Sequence, residues 1–372
     1  MKYYIIAGEA SGDLHASNLM KELKKQDSSA QFRCWGGDLM KQQGATLVKH
    51  YRDLAFMGFI EVIANLKAIL NNIKFCKKDI FNYKPDAVIL VDYPGFNMRI
   101  AEFAHKAGFK VFYYISPQVW AWKESRVYKI KKFVNRMFVI LPFEKEFYTK
   151  YDFEVDFVGH PLLDMIEQLP ENKPVEFRKN NKIDDKPFIA LLPGSRKQEI
   201  KKMLPIMLSV TSEYSDYGFL IAGAPGVEKE FYEQFTPDNN VSIVYNQTHE
   251  LLRNADAAIV TSGTATLETA LFELPQVVIY KGSFISYQIA KRVVDKNITK
   301  YISLVNLIMD KEIVKELIQN NLKTVNLKNE LTRITENETY RQNLKNDYKL
   351  LKEKLGGAGA SEKTAKLILS LI

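Results

Sequence analysis

The sequence predicts an α/β protein built from two Rossmann-like, doubly wound domains with a helical C-terminal tail. Three observations carry that prediction. At 372 residues the chain is too long for one ordinary core. Short β-branched runs alternate with helical patterns, as they do where a parallel sheet is flanked by helices. The alternation also stops near mid-chain and then starts again.

In the first half, strands are expected at Tyr3–Ala7, Phe32–Trp35, Ala87–Val91, Lys110–Ile115 and Met137–Ile140, with a shorter one at Val155–Val158. Between residues 159 and 187 the texture changes. Gly159-His160-Pro161 is followed by Pro170, Pro174, Pro187 and the polar Glu171-Asn172-Lys173, which reads as an interdomain connection with His160 as a hinge residue. The second set of strands is expected at Phe188–Leu192, Phe219–Ile221, Ser242–Val244, Ala257–Val260 and Val277–Tyr280. Residues 311–355 are charged and read as helical, Gly356-Gly357 break them, and Ser361–Leu371 reads as a last amphipathic helix. The domains are therefore drawn at 1–165 and 166–339, with C-terminal helices over 340–372.

Composition narrows the class. Hydrophobic content of 46% with 26% charged residues describes a folded chain. A net charge of +8 favours anionic partners, whether phosphorylated metabolites or an acidic membrane surface. No nucleic-acid module or basic-aromatic array is present, so nucleic acid is not expected as a partner. The two cysteines, Cys34 and Cys76, have neither disulfide nor metal-ligand spacing, which suits a reducing cytoplasm. No apolar run is long enough to span a bilayer, and Met1-Lys2 leads directly into a strand pattern instead of a signal peptide.

Ligands of doubly wound sheets bind beyond the carboxyl ends of the strands, so the loops after the strands carry the chemistry. After Leu192 comes Pro193-Gly194-Ser195-Arg196, opening a helix. Glycine admits close backbone approach, Ser195 adds a hydroxyl, the helix N-terminus adds its dipole, and Arg196 adds a cationic fork, together a grip for phosphate. An ordinary strand-to-helix turn is the plainer reading. A second loop, Ser262-Gly263-Thr264-Ala265-Thr266, also opens a helix, and two such loops at one sheet edge can clamp a diphosphate. Glu268, one turn after Thr264, is placed to reach a ribose diol. Neither loop is a Walker sequence, and no GxGxxG occurs.

The first half offers different groups. Gly8-Glu9-Ala10-Ser11-Gly12-Asp13 supplies acids that suit a hydroxyl-bearing acceptor, with simple helix capping as the alternative. Asp92 ends a wholly apolar strand, where a carboxylate needs a task or a partner. Trp120 and Trp122 follow another strand and suggest an aromatic wall against sugar or acyl chain, with core packing as the alternative. Phe56-Met57-Gly58-Phe59 leads towards a helix with Leu66, Ile69, Leu70 and Ile73 at helical spacing, punctuated by Lys67, Lys74, Lys77 and Lys78. That pattern suits an anionic membrane interface or a core-facing amphipathic helix.

These segments occur in a fixed order with Leu141-Pro142-Phe143-Glu144, Gly159-His160-Pro161 and Ser303-Leu304-Val305-Asn306-Leu307. Together they closely resemble the lipid-A-disaccharide synthase family, glycosyltransferases of the GT-B type, over nearly the whole chain. The resemblance implies two Rossmann-like domains facing a central cleft, with the last helices packing back on the first domain. It implies transfer of 2,3-diacylglucosamine from its UDP ester to the 6-hydroxyl of 2,3-diacylglucosamine 1-phosphate, giving a β-1,6 disaccharide phosphate and UDP. It further implies attachment to the anionic inner face of the cytoplasmic membrane, and it allows a homodimer with exchange of the C-terminal segment. No cofactor or metal is expected.

Site roles follow from the same resemblance. Family members often carry a second acid where this chain has Gly95, and a proline where it has Val305. Asp92 is then the expected base of an inverting displacement, worth about 10²–10⁴-fold, with Glu9 and Asp13 in reserve. Arg196 and the two helix N-termini would stabilise departing UDP, each such donor contributing about 10²–10³-fold. Asn306 would orient donor sugar or acceptor. The donor side comprises Gly194, Ser195, Arg196, Ser262, Gly263, Thr264, Ala265, Thr266 and Glu268; the acceptor side comprises Glu9, Ser11, Asp13, Trp120, Phe56 and Phe59. Two other readings compete: a different UDP-sugar enzyme of the same architecture, such as a peptidoglycan-precursor transferase or a UDP-GlcNAc epimerase, and a non-catalytic sugar-nucleotide sensor.

Overall fold

The computed structural model describes residues 1–54, 66–122, 124–236, 241–282 and 300–372. They form two compact units, Met1–Gln168 with Leu355–Ile372, and Leu169–Lys354.

The first unit is a parallel sheet of β1 (Lys2–Ala7), β2 (Gln31–Gly36), β3 (Thr46–His50), β4 (Ala87–Val91), β5 (Lys110–Tyr114), β6 (Arg136–Val139) and β7 (Asp156–Phe157), in the order β3-β2-β1-β4-β5-β6-β7. The chain reverses its direction of winding between β1 and β4, and there the loops after two adjacent strands open a crevice. The helices are α1 (Ala10–Gln26), α2 (Asp38–Gln42), α3 (Leu66–Tyr83), α4 (Pro94–Lys106), α5 (Val119–Trp122), α6 (Arg126–Phe133), α7 (Pro142–Thr149) and α8 (Pro161–Glu167). Strands β1 and β4 are apolar and buried almost throughout because helices cover both faces.

The second unit repeats the plan with β8 (Phe188–Leu192), β9 (Gly218–Gly223), β10 (Val241–Tyr245), β11 (Ala257–Thr261), β12 (Gln276–Tyr280) and β13 (Lys315–Ile318), in the order β10-β9-β8-β11-β12-β13. Its helices include α9 (Pro174–Asn180), α10 (Lys197–Leu208), α11 (Lys229–Glu233), α12 (Thr248–Asn254), α13 (Thr264–Leu271), α14 (Leu304–Met309), α15 (Thr324–Glu336) and α16 (Glu338–Lys354). The winding reverses between β8 and β11, which pair directly. The loops that follow them therefore leave the sheet side by side.

Three expectations change. Strands β3 and β13 are absent from the sequence reading, and Lys315–Ile318 lies inside the stretch read as helical. Both are edge strands: in β13 only Leu317 is buried, so no continuous apolar run announces it. Two of the prolines read as an interdomain connection start helices instead, Pro161 and Pro174 each occupying a first helical position where the missing N–H is harmless.

The C-terminal helices also divide between the units. Helix α16 buries Leu344, Tyr348 and Leu351 in the second unit, and Lys352 pairs with Glu273 at 2.8 Å, so residues 340–354 do not join the first. The glycine-rich turn at Gly356, Gly357 and Gly359, all with positive φ, then releases α17 (Ala360–Leu371). Ala365 and Ile368 of α17 enter the core made by Leu19, Met20 and Leu23 of α1. Asp164 of α8 caps the incoming helix, accepting N–H bonds from Gly359 (2.6 Å), Ala360 (3.0 Å) and Ser361 (2.9 Å).

Candidate active site

In the first unit the site starts where β4 stops. Asp92 and Tyr93 have φ of +44° and +50°, so two successive non-glycine residues sit in the left-handed region, a conformation that persists only where surroundings enforce it. The enforcers are visible. The Asp92 N–H donates to the Tyr114 carbonyl (3.1 Å), while its carbonyl accepts from the Tyr113 hydroxyl (2.6 Å) and the Asn97 amide (2.7 Å). Asn97 also bonds the Val91 carbonyl, tying the turn to the strand it leaves. The Tyr93 ring lies over Gly8, where a Cβ would come within 2.3 Å of it. That contact explains the glycine after β1.

The backbone is thereby held and the Asp92 side chain is free for chemistry. Burial pushes its carboxyl up to about 6, the Glu9 charge pushes in the same direction, and a backbone N–H at Tyr93 opposes them. Asp92 lines a pocket of about 470 Å³ with Ser116, Gln118, Arg126 and Glu144. Glu144 is fully enclosed. Burial raises its carboxyl to about 7, against the backbone N–H groups of Leu141 and Ile140 and the nearby Ser116 and Trp120 side chains. It accepts from the Leu141 N–H at 3.0 Å, reaching back to the start of α7. The Ser116 hydroxyl lies 2.8 Å from that of Tyr148.

The remaining acceptor-side residues separate. Glu9 is exposed beside Asp92, and Ser11 is exposed on the first turn of α1. Asp13 is buried and accepts from the N–H groups of Gly37 (2.7 Å), Leu39 (3.1 Å) and Met40 (3.2 Å). It therefore caps α2, and its carboxylate is no reserve base. Trp120 is a correction too: its indole packs edge-on against Phe143 at 5.0 Å and is only 6% exposed, so it belongs to the core rather than to an aromatic wall. Its N–H favours the ionised Glu144 by proximity but closes no hydrogen bond. The Trp122 side chain, Phe56 and Phe59 lie outside the described residues. His160 is not a hinge. It is buried, its Nδ1 accepts from the Leu162 N–H at 3.2 Å, and its own N–H donates to the Leu355 carbonyl.

In the second unit, Gly194 has a φ of +114°, and a Cβ there would meet Glu199 at 2.7–2.9 Å. Ser195 and Arg196 are exposed, and Arg196 precedes α10. Glu199, one turn into that helix, accepts from the Ser195 N–H at 3.2 Å and lies 3.8 Å from Arg196 Nη1. A carboxylate thus already sits where an anion would meet loop, helix end and arginine. Beside it, Gly263 and Thr264 expose the start of α13, with Ala265 partly covered. The Thr266 hydroxyl is turned inward to the Gly263 carbonyl (2.8 Å), and the Ser262 hydroxyl bonds the Ile302 carbonyl (3.0 Å). Both hydroxyls shape the loop, leaving its backbone for a ligand. Glu268 receives a 2.7 Å hydrogen bond from His249.

Asn306 proves structural. It is fully buried; its amide donates to the Val314 carbonyl (2.8 Å) and Glu316 (2.9 Å), and its oxygen accepts from Ile313 and Val314. These bonds hold the loop into β13, so no group is left to orient a sugar. The sequence reading assigned no role to Asn97, Ser116, Arg126, Glu144, Glu199 or His249. Glu144 lies inside a segment quoted above, and Asn97 and Ser116 follow expected strands closely, whereas Arg126, Glu199 and His249 carry no local signal of their own. Among the described residues no three His, Cys, Asp or Glu side chains converge as a metal site requires.

Known proteins resemble this chain over nearly its whole length. A family model described as lipid-A-disaccharide synthetase matches residues 3–370. The chain is 39% identical over 375 residues to a lipid-A-disaccharide synthase of Syntrophus aciditrophicus, covering 99% of this chain and 97% of that one. It is 34% identical over 373 residues to one of Coxiella burnetii, covering 99% and 98%. Among solved structures it resembles a UDP-GlcNAc 2-epimerase of Neisseria meningitidis bound to UDP-GlcNAc, at a TM-score of 0.70 and 14% identity with both chains fully covered. It also resembles the glycosyltransferase of kitacinnamycin, at a TM-score of 0.65 and 13% identity, covering 99% of this chain and 98% of that one. At such identities these last two report the shared fold.

Proposed function

This chain belongs to the lipid-A-disaccharide synthase family, and from that premise we propose that it joins UDP-2,3-diacylglucosamine to 2,3-diacylglucosamine 1-phosphate. The observation that carries the reading is Asp92, a carboxyl pushed up to about 6 at a strained strand end, in a pocket sized for a sugar head group.

Chemically, Asp92 takes the proton of the acceptor 6-hydroxyl as that oxygen attacks the anomeric carbon of the donor. The new C–O bond forms as the bond to UDP breaks on the opposite face, so the configuration inverts. UDP leaves with the electron pair, and the proton passes from Asp92 to water. A base with a pKa near the working pH combines a usable ionised fraction with adequate basicity. Arg196, the Gly194–Ser195 backbone and the exposed start of α13 receive the diphosphate, and Glu268 accepts from the ribose hydroxyls. For the phosphate to seat, the Glu199 carboxylate must give up the Ser195 N–H.

Membrane contact is part of the proposal. On α3, Leu70 and Phe81 are 51% and 58% exposed among exposed Lys67, Lys74 and Lys78, an apolar and cationic face suited to anionic lipid. No described helix is long and apolar enough to cross a membrane.

The decisive experiment is mass spectrometry of products from defined UDP-diacylglucosamine and diacylglucosamine 1-phosphate. The tetraacyl disaccharide phosphate is expected. A product formed equally well from non-acylated UDP-GlcNAc, or epimerised UDP-sugar without transfer, would overturn the reading.

A further inference from the structure

We propose that Arg126 recognises the phosphate of the acceptor, making the Asp92 pocket selective for a phosphorylated sugar. The inference rests on the reading of that pocket as the acceptor site and adds a recognition element to it.

Three observations converge on this residue. Arg126 opens α6 and lines the same pocket of about 470 Å³ as Asp92 and Glu144. Among the described residues its guanidinium makes no ion pair and no hydrogen bond, whereas Arg33 and Arg136 are each fastened to carboxylates. Its charge nevertheless reaches inward. The buried Tyr113 phenol, driven far up by burial and further by the Asp92 charge, is pulled back by the Asn97 side chain and, to a smaller extent, by Arg126. Tyr113 is the residue whose hydroxyl holds the Asp92 carbonyl at 2.6 Å, so the arginine's field extends to the floor on which the candidate base stands.

The electrostatics of the pocket call for such a group. A sugar phosphate brings its own negative charge into a space already lined by two carboxyl groups, with Glu9 beside one of them. Without a cation, anion and carboxylates would repel at short range. A guanidinium is always charged, is weakly hydrated, and presents paired N–H donors that match two phosphate oxygens. Among the described residues, Arg126 is the cationic side chain in the pocket lining. The acceptor reacts at one end of its ring and carries phosphate at the other. Arg126 and Asp92 in one lining can therefore hold the phosphate and deprotonate the hydroxyl of the same molecule.

The test is a cycle of two enzymes and two acceptors. Wild type and Arg126→Gln would be assayed with diacylglucosamine 1-phosphate and with the same lipid lacking phosphate, at saturating donor, and folding would be checked by thermal unfolding. Wild type should prefer the phosphorylated acceptor. Arg126→Gln should lose about 10–100-fold in kcat/KM for it, the value of one or two charge-assisted hydrogen bonds, and be nearly unchanged with the dephosphorylated lipid. The donor KM should not move, and Arg126→Lys should recover part of the preference. Equal losses on both acceptors would overturn the proposal, as would a raised donor KM, which would assign the arginine to the UDP diphosphate. If wild type transfers to neither acceptor, the underlying reading of the site fails, and that outcome is distinct from both.

Discussion

His249 Nε2 lies 2.7 Å from Glu268 Oε1, joining α12 to α13 beside the exposed start of the latter. The His249 ring also packs against Phe272 at 5.8 Å, so its direction is fixed from two sides. A carboxylate held this way keeps its second oxygen in a constant position, as the proposed ribose contact requires. Glu268→Ala should weaken UDP binding by about 10–100-fold, as expected for lost hydrogen bonds to a charged group. It should also abolish discrimination between UDP and 3′-deoxy-UDP. His249→Phe keeps the packing and loses the hydrogen bond, so it should move both quantities in the same direction by less. Titration calorimetry with the two nucleotides reads the result, and unchanged discrimination in Glu268→Ala would remove the ribose role.

The Asp92 carboxyl titrates near 6, pushed up first by burial and then by Glu9. A general base works ionised, so kcat/KM should fall as pH drops through about 6, well above the ordinary carboxylate range. Asp92→Asn should lose about 10²–10⁴-fold in turnover while binding UDP normally. Glu9→Gln removes the second cause of the shift and should move the acid limb to lower pH. A limb that stays put in Glu9→Gln would place the controlling group elsewhere.

Acid should loosen the first unit where its C-terminal helix docks. Burial pushes His15 down to about 4 and His160 down to about 3, while the unfolded chain titrates near 6.5. The folded state resists protonation, so their contribution to stability is complete above 6.5 and is lost as pH falls through the window from 6.5 towards 4 and 3. Together this amounts to on the order of a few kcal/mol. Asp92 and Glu144, raised to about 6 and about 7, act in the opposite sense and soften the slope. His160→Asn retains a helix-capping acceptor for the Leu162 N–H but cannot titrate. Urea unfolding between pH 4 and 7 should show a shallower pH dependence in this variant, and an identical slope would clear His160 of the effect.

Lipid binding should depend on the outward face of α3. Leu70→Asp with Phe81→Asp should reduce flotation on vesicles containing anionic lipid, and Lys74→Gln with Lys78→Gln should do so too, at about 1 kcal/mol per removed charge. Neither pair should affect transfer to a short-chain soluble acceptor. Flotation insensitive to both pairs would move the contact to another surface.

How much of this was legible in the sequence depends on where each signal resides. The buried strands announced themselves, Ala87–Val91 and Phe188–Leu192 residue for residue, because a run covered on both faces must be continuously apolar. Edge strands such as Lys315–Ile318 mix charge with apolar residues and resemble the helices around them. The loops after strands pointed to the right segments for a parallel reason: a topological switch point collects them whatever their residues. Side-chain roles were less legible. Asp13, Trp120 and Asn306 stand in those segments, yet their partners, the N–H groups of Gly37–Met40, the ring of Phe143 and the loop Ile313–Glu316, come from elsewhere in the chain. An acid, an aromatic or an amide in a motif does not reveal whether it faces ligand or its own backbone.

Gly95 offers a last test, because the family resemblance implies an acid there and this chain has none. It is exposed at the second position of α4, and a Cβ built on it meets nothing within 4 Å. Gly95→Asp should therefore fit without strain. Losing glycine's excess freedom and adding a negative charge at a helix N-terminus should together stabilise by about 1 kcal/mol. In a unit of this size that corresponds to a rise of about 2–4 °C in Tm. The new carboxylate stands three residues from Asp92, and like charges raise each other's pKa. The acid limb of kcat/KM should consequently move above 6, opposite in direction to the shift expected for Glu9→Gln. Tm and the pH profile of this variant check the two halves separately. A higher Tm with an unmoved limb would show that position 95 stabilises the helix without sharing the field of the base.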